Sequence, residues 1–470
     1  MKVLFVCPPT SQEERYGKLK DIGTLHPSLG IAYVAAAAEK AGHIVKVIDS
    51  EALGYTYENI KKGIEEFKPE VIGMQTYCTN LSRCYKIAEI AKNFDKNIKI
   101  VLGGAQVTLF HDSIKEKNTD FIIYGEGEVA FVNLLKCLHE KSPLKNVNGL
   151  IWKNKNKIIT NKPQELIKDV SELPFPARHL FPMEKYHSSA NLRGKKTLNI
   201  MTSRGCPFRC AYCAGHRTFG RTHRFNSPEK VIQEINILVD EYRADSIQFY
   251  DETFTANRER VMKLCDALIE NNKQRKKKLT WSCFTRVHLV DLELLKKMKQ
   301  AGCYLIFYGF ESGVQRLLDL IKKDITLEQQ KKAVGLTHQA GIEVWGSFML
   351  ALPTETKEDS MQTIKQAIDL DIDYVQFPIT TPFPGTELYD ICKKTGKILN
   401  ENWDNYLTWD EVVYLPEGRT PEEIKKTVKL AYKKVYLRPK FMVKKAWNLR
   451  KLPAKNMYKM VKAGMFTFFR

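Results

Sequence analysis

No run of about 18 apolar residues occurs in the chain, so the sequence offers no helix able to span a bilayer. The N-terminus, MKVLFVCPP, is apolar for a few residues before Pro8 and Pro9. It has no basic start followed by a long apolar stretch and a small-residue cleavage site, and so reads as a first strand rather than a secretory signal. These absences lead us to expect a cytoplasmic protein. Thiols stay reduced there, so the 11 cysteines do not suggest a disulfide framework, and clustered ones point to metal or redox chemistry. Acidic residues are in short supply: 54 Asp and Glu against 74 Lys and Arg leave a net charge of +20. A lysine-rich solvated surface accounts for that as simply as an anionic partner does.

Hydrophobic residues make up 43% and charged residues 27%, a balance that allows a sizeable core without disulfides. At roughly 100–200 residues per domain, 470 residues allow two or three domains. Residues 1–140 alternate short apolar strands (KVLFVCPP, HIVKVID, EVIGMQTY, IKIVLGGA, FIIYGEG) with helical stretches such as LGIAYVAAAAEKAG. That alternation predicts a doubly wound parallel sheet of the flavodoxin or Rossmann type. Ligands bind beyond the C-terminal strand ends of such sheets. The loops there carry Pro9 and Thr10, Thr76, Gly103 and Gly104, and Gly125 and Glu126. One glycine pair is ordinary turn chemistry; four such strand ends in one domain predict a ligand cleft.

Residues 141–195 read as a linker, with GLIWKNKNKIIT as a small hairpin and ELPFPARHLFP as an extended, proline-rich stretch. Alternation resumes over 196–400 with TLNIMTS, SIQFYDE, LTWSCFTR, YLIFYGFES, EVWGSFMLALP and YVQFPITTPFP. Six strand–helix units predict a partial (β/α)6 barrel of the TIM type, with its active site at the strand C-termini. Residues 401–470 form a basic C-terminal region containing a helix over 421–436 capped by Thr420.

The first of these barrel strands runs into Cys206-Pro207-Phe208-Arg209-Cys210-Ala211-Tyr212-Cys213, a CxxxCxxC loop. Three thiolates at this spacing can converge on one soft-metal cluster. A structural zinc wants a fourth ligand, and His216 and His223 do not have zinc-finger spacing. Three ligands on a four-iron cluster leave one iron open to a substrate or cofactor. A carboxylate at Glu311 ends an otherwise apolar strand, either capping the next helix or facing the barrel mouth. Asp251 and Glu252 end another strand, where at least one serves the site and the other caps or pairs with a base. Arg286 ends a third and can pair with a carboxylate.

CxxxCxxC with an aromatic before the third Cys, at the end of the first barrel strand, resembles the signature of radical S-adenosylmethionine (SAM) enzymes. Phe249-Tyr250-Asp251-Glu252-Thr253-Phe254, Phe310-Glu311-Ser312-Gly313, Met349 to Thr356 and Pro382 to Tyr389 resemble further segments of that family. Ala351 and Thr354 depart from it, standing where Gly is more usual. The N-terminal sheet resembles a cobalamin-binding domain, and the whole resembles the cobalamin-binding radical SAM class. That resemblance implies a 4Fe-4S cluster on Cys206, Cys210 and Cys213. It also implies SAM held by Tyr212, Asp251, Glu252, Arg286 and Glu311, and cobalamin at the Pro9, Thr10, Thr76, Gly103, Gly104, Gly125 and Glu126 strand ends. The implied reaction is reductive cleavage of SAM to a 5′-deoxyadenosyl radical. Methyl transfer to an unactivated carbon or phosphorus centre of a small or lipid-like molecule would follow. Electrons would come from a reductase, flavodoxin or ferredoxin. Oxidative ring closure of the anaerobic magnesium-protoporphyrin monomethyl ester cyclase type is the alternative. A non-enzymatic iron–sulfur or zinc protein acting on membrane or RNA is the second.

Many cobalamin domains carry Asp-x-His-x-x-Gly, whose His binds cobalt. None of His26, His43, His111 or His139 follows an Asp at that spacing. Cobalamin therefore binds without a protein His ligand, or the sheet binds nothing. From Arg438 to Arg470 there are ten Lys or Arg and no acid, interleaved with Phe441, Trp447, Tyr458, Phe466 and other apolar residues. This reads either as an interfacial segment making peripheral membrane contact or as a helical cap on the barrel. No stacking motif accompanies the charge, so nucleic acid is not the expected partner.

Overall fold

The computed structural model describes residues 1–16, 20, 23–155, 157–189, 192–406, 411–439 and 441–442. Its contacts divide the chain into two compact units. The first comprises Met1–Arg15, Leu25–Tyr186 and Ala214–Phe225. The second comprises Tyr16–Thr24, His187–Cys213 and the chain from Asn226 on.

In the first unit, β1 (Lys2–Cys7), β2 (Ile44–Asp49), β3 (Val71–Gln75), β4 (Lys99–Gly103) and β5 (Phe121–Ile123) form a parallel sheet in the order β2-β1-β3-β4-β5. The strands are near-continuous apolar runs because helices close both faces of such a sheet. Val3, Leu4 and Val6 are wholly buried, and Phe5 packs its ring 5.2 Å from Phe131 of the helix Gly127–Glu140. The predicted hairpin is present as β6 (Leu150–Asn154) and β7 (Lys157–Thr160). Rather than standing apart, it extends the sheet: β6 pairs antiparallel with β5, Ile122 opposite Ile151. Leu150 and Ile151 of the inner strand are both buried, whereas Ile158 of the outer strand is exposed, as at a sheet edge.

The second unit is built on six parallel strands. These are β8 (Thr197–Ile200), β9 (Ser246–Phe249), β10 (Thr280–Thr285), β11 (Cys303–Glu311), β12 (Glu343–Phe348) and β13 (Tyr374–Gln376), paired in chain order. Helix starts follow the local chemistry. Ser227 Oγ accepts from Lys230 N ahead of Pro228 at the first helical position, and Thr326 and Thr356 each close a capping box. The helix α1 (Pro421–Tyr436) begins at Thr420, whose hydroxyl accepts from Glu423 N. It covers the edge of the sheet. Tyr436 Oη exchanges hydrogen bonds with the backbone N–H and C=O of Val375, and Tyr432 Oη accepts from Phe377 N. Two tyrosines thus satisfy backbone groups that an open edge strand leaves unpaired. The helix expected over 421–436 with Thr420 as its cap is present, whereas residues 440 and 443–470 of the basic stretch after Arg438 lie outside the described residues. Among the described residues, no helix is long and apolar enough to cross a membrane.

Candidate functional site

The cysteine loop leaves the end of β8 through Gly205, whose φ of +85° is the left-handed turn that glycine adopts without penalty. Three anchors then shape it. The Asp251 carboxylate, buried at the end of β9, accepts from Thr202 N (2.6 Å), Ser203 N (3.2 Å) and Thr202 Oγ1, and is paired with Arg260 at 3.3 Å. Asp251 therefore takes the pairing role of the two that the sequence allows an acid at this strand end. Glu252 beside it is half-buried. Further on, Ala211 N donates to Ile321 O and Ala211 O accepts from Leu388 N, both at 2.9 Å, while its methyl packs among Leu317, Ile321, Leu352 and Leu388.

Arg286, at the end of β10, is the third anchor. Its Nη1 donates to Cys210 Sγ at 3.0 Å, its Nη2 donates to Lys323 O, and its plane lies 3.9 Å from the Phe208 ring centroid. A cation fixed against a loop sulfur suits a ligand set carrying thiolate charge. Cys206 Sγ lies 3.4 Å from Thr253 Oγ1, and none of the three cysteines is in a disulfide. Among the described residues, no three His, Cys, Asp or Glu side chains are drawn together into a ready metal site. The donor chemistry, three soft thiols in one anchored loop with a cation beside Cys210, nevertheless fits an iron–sulfur cluster.

Beside the loop, Glu311, Tyr212 and Lys323 form a closed triangle. Tyr212 Oη donates to Glu311 Oε1 at 2.8 Å, Lys323 Nζ donates to the same oxygen at 2.8 Å, and Lys323 Nζ reaches Tyr212 Oη at 2.9 Å. Burial, and then the Glu311 charge, hold the Tyr212 phenol well above its usual range, so it stays protonated as a donor. Glu311 has φ of +63°, an uncommon conformation for a residue with a Cβ, and it turns the carboxylate inward. Gly309 leaves the room: a Cβ there would come within 2.3 Å of Glu311 Oε1 and 2.9 Å of Lys323 Nζ. Lys323 itself escaped the sequence reading. It is one lysine among many, and the left-handed Lys322 and Asp324 on either side shape its turn without any glycine to announce it. Thus Tyr212, Arg286 and Glu311 of the predicted set come together around the loop, and Asp251 stands behind it.

In the first unit, Thr76 is fully buried and spends its hydroxyl on Gly103 O at 2.8 Å, while its amide reaches the same carbonyl at 2.7 Å. This locks the ends of β3 and β4 together. Pro9 O accepts from Arg83, and Thr10 is half-buried. Beyond β4 and β5 the backbone is left open. A Cβ on Gly125 (φ +80°) would meet nothing within 4 Å, and one on Gly103 only Ile123 O at 3.8 Å. Gly103 and Gly125 thus leave room for the close approach of a large flat ligand, whereas a Cβ on Gly104 would meet Gln75 Cγ and Thr76 O at 2.9 Å. The Glu126 carboxylate is not part of that opening. It accepts from Arg224 Nη1 at 2.9 and 2.8 Å and from Ile167 N at 2.9 Å, in a buried ion pair. No sequence signal singled out Arg224, which follows two histidines that drew attention as zinc ligands.

With this geometry in view, comparison with known proteins is direct. The family model of the radical SAM superfamily matches residues 200–367, and that of the B12 binding domain matches residues 19–135. An uncharacterised methyltransferase of Pyrococcus horikoshii is 37% identical over 446 residues, covering 94% of each chain. An anaerobic magnesium-protoporphyrin IX monomethyl ester cyclase of Cereibacter sphaeroides is 27% identical, covering 93% of this chain and 71% of its own. Among solved structures, the radical SAM methyltransferase TsrM of Kitasatospora setae, with cobalamin and a [4Fe-4S] cluster bound, superposes with a TM-score of 0.71. It does so at 16% identity, over 93% of this chain and 89% of that one. The fold and site define a two-domain radical SAM enzyme with a B12 domain. The chain belongs to the cobalamin-binding radical SAM family, on its methyltransferase side, and its cofactors are the family's: a 4Fe-4S cluster, SAM and cobalamin. The non-enzymatic alternative falls with that membership.

Proposed function

We propose that this enzyme methylates a small molecule at an unactivated carbon or phosphorus centre, with Cys206, Cys210 and Cys213 holding the cluster. Bound there, the cluster and SAM would supply reductive sulfonium cleavage, and cobalamin would carry the methyl group. The protein's own residues bind and orient. Tyr212, Glu311 and Lys323 present a fixed donor–acceptor set for SAM's polar groups, and Arg286 holds the cysteine loop while offering a cation. Glu252 lines the same mouth, and Asp251 fixes the strand end that feeds the loop. The ends of β1, β3, β4 and β5, with Pro9, Thr10, Thr76, Gly103, Gly104 and Gly125 and the backbone of Glu126, form the cobalamin edge. We place the enzyme in the cytoplasm, served by a flavodoxin- or ferredoxin-type donor, with the basic stretch after Arg438 available for peripheral membrane contact.

The observation that carries this reading is the anchored CxxxCxxC loop with Arg286 at Cys210 Sγ, in a chain that aligns end to end with a methyltransferase. The test is anaerobic reconstitution with iron, sulfide, cobalamin, SAM and a reductant. Methyl transfer yields S-adenosylhomocysteine alongside 5′-deoxyadenosine; ring closure of the cyclase type yields only the latter. Cys210→Ala should abolish the cluster's visible absorbance. A variant that keeps a normal cluster would refute the ligand assignment.

A further inference from the structure

Along the barrel strands, exposure survives on one alternation only. Gln248 and Tyr250, Phe284, Phe307 and Gly309, Trp345 and Gln376 are half-buried, while the residues between and beside them (Phe249, Cys283, Thr285, Ile306, Tyr308, Val344, Val375) are buried. Successive side chains of a strand point to opposite faces, so one face of this sheet is sealed by helices and the other borders an open cleft.

The ladder register lines up the rings on that open face. Phe284 is opposite Phe307, Phe307 opposite Trp345, and Trp345 opposite Tyr374. With Tyr250 they make a continuous row. Centroids are 5.8 Å apart for Tyr250–Phe284, 5.0 Å for Phe284–Phe307, 5.6 Å for Phe307–Trp345 and 5.9 Å for Trp345–Tyr374. Leu192, Tyr304, Leu305 and Tyr374 close the lower end, with Trp345 packed on them. Arg286 follows Phe284 by two residues and Glu311 follows Phe307 by four. At about 3.3 Å of rise per residue, the row lies roughly 7–13 Å below the residues around the cysteine loop.

No charged side chain belongs to the row. Its polar neighbours are Gln248, the pair Gln376–Ser347, joined at 3.2 Å, and, at the lower end, the Arg193–Glu343 ion pair (2.7 Å), whose guanidinium lies 5.0 Å from the Tyr304 ring centroid. Trp345 Nε1 is buried and makes no hydrogen bond among the described residues. Leaving a buried N–H unpaired is destabilising, and a ligand acceptor removes that cost.

Resting on the radical SAM reading above, we propose that this row is the substrate floor and that the substrate presents to it a flat, uncharged ring system bearing a hydrogen-bond acceptor. Each aromatic pair contributes about 0.5–1.5 kcal/mol beyond its buried area, so two ring contacts give a flat ligand roughly tenfold over a saturated one of equal size. A charged ring would find no uncompensated counter-charge along the row, because Arg193 and Glu343 at its lower end neutralise each other.

Calorimetric titration of the reconstituted enzyme with coumarin, flat and neutral with a carbonyl acceptor, and with its saturated analogue octahydrocoumarin tests this directly. Coumarin should bind about tenfold more tightly. Phe307→Leu should erase the preference, with Phe284→Leu as a second variant should the first not fold by its melting temperature. Trp345→Phe should keep the preference for the flat ring and weaken coumarin several-fold through the lost N–H. Equal binding of the two probes, tighter binding of the aliphatic alcohol farnesol, or a preference that survives in a folded Phe307→Leu variant each overturns the proposal. Formation of 5′-deoxyadenosine by the parent enzyme is scored separately. Its absence alongside an intact coumarin preference refutes the radical reading and leaves the ring-binding floor standing.

Discussion

Arg286 Nη1 donates to Cys210 Sγ at 3.0 Å while the same guanidinium lies 3.9 Å from the Phe208 ring centroid. One side chain at the end of a barrel strand therefore grips the cysteine loop at two of its residues. The planar fork does both at once, which a lysine ammonium on a flexible stem cannot. Arg286→Lys should therefore loosen the loop. A buried charged hydrogen bond is worth about 1.5–3 kcal/mol, so cluster loading should weaken by about tenfold or more, measured as iron and sulfide bound per chain across an iron titration. Unchanged loading would show that the contact is incidental to the loop's shape.

The Glu126–Arg224 pair is buried on both sides, with side-chain exposures of 2% and 6%. Removing one partner strands the other charge away from water. Glu126→Leu or Arg224→Met alone should each cost about 3–5 kcal/mol of stability, whereas the two together should recover much of the loss. Chemical denaturation of the three variants measures this. Additive losses in the double variant would mean that the two residues act separately.

These two contacts mark where sequence reading reaches and where it stops. The parallel sheets were legible because strands such as KVLFVC and EVIGM are too apolar to face water on either side. The helix starts were legible because Ser227-Pro228 and Thr420-Pro421 carry their caps in the sequence. Cys206, Cys210, Cys213, Glu311 and Arg286 were legible as unusual chemistry at strand ends. Arg224, Lys323 and the aromatic row were not. A buried base looks like any surface base until its partner is known, and Glu126 is 98 residues away. The row needs the cross-strand register that aligns Phe284, Phe307 and Trp345, and no single strand encodes it.

The departures at Ala351 and Thr354 have a backbone counterpart. Both residues have φ of +62°, where a Cβ is unwelcome, so the unusual side chains occupy left-handed turns. Thr354 is exposed and β-branched, the costlier case at about 1–2 kcal/mol. Part of that is offset by Arg316 Nη1, which donates to its hydroxyl at 3.0 Å. Thr354→Gly should raise stability by about 0.5–1 kcal/mol after the added freedom of the unfolded glycine is counted. Two residues on, Thr356 caps a helix from an extended conformation, and Thr356→Ala should lower stability by about 1 kcal/mol. Thermal melts of the pair should move in opposite directions; a loss in both would mean that the left-handed turn at Thr354 stores no strain.

Glu355, between them, is buried, and its carboxyl is pushed up to about 7, chiefly by burial; the Ser360 hydroxyl and the Leu352 N–H oppose the rise. Its folded pKa thus lies above the ordinary carboxyl value of 4.5. Between these two values the folded chain holds a proton that the unfolded chain has released, so this group's contribution to stability falls as pH rises through the window and is flat above it. At about 1.4 kcal/mol per unit, the loss is roughly 3 kcal/mol at most. Glu355→Gln keeps an acceptor for the Leu352 N–H and removes the ionisation. The variant should gain on the parent steadily between pH 4.5 and 7 and hold a constant margin above that, read from denaturation midpoints across the range. A margin that is the same at pH 4.5 and 7 would mean that Glu355 is ionised in the folded chain throughout, with Arg419, whose Nη1 lies 3.3 Å from Ser360 Oγ, compensating its charge.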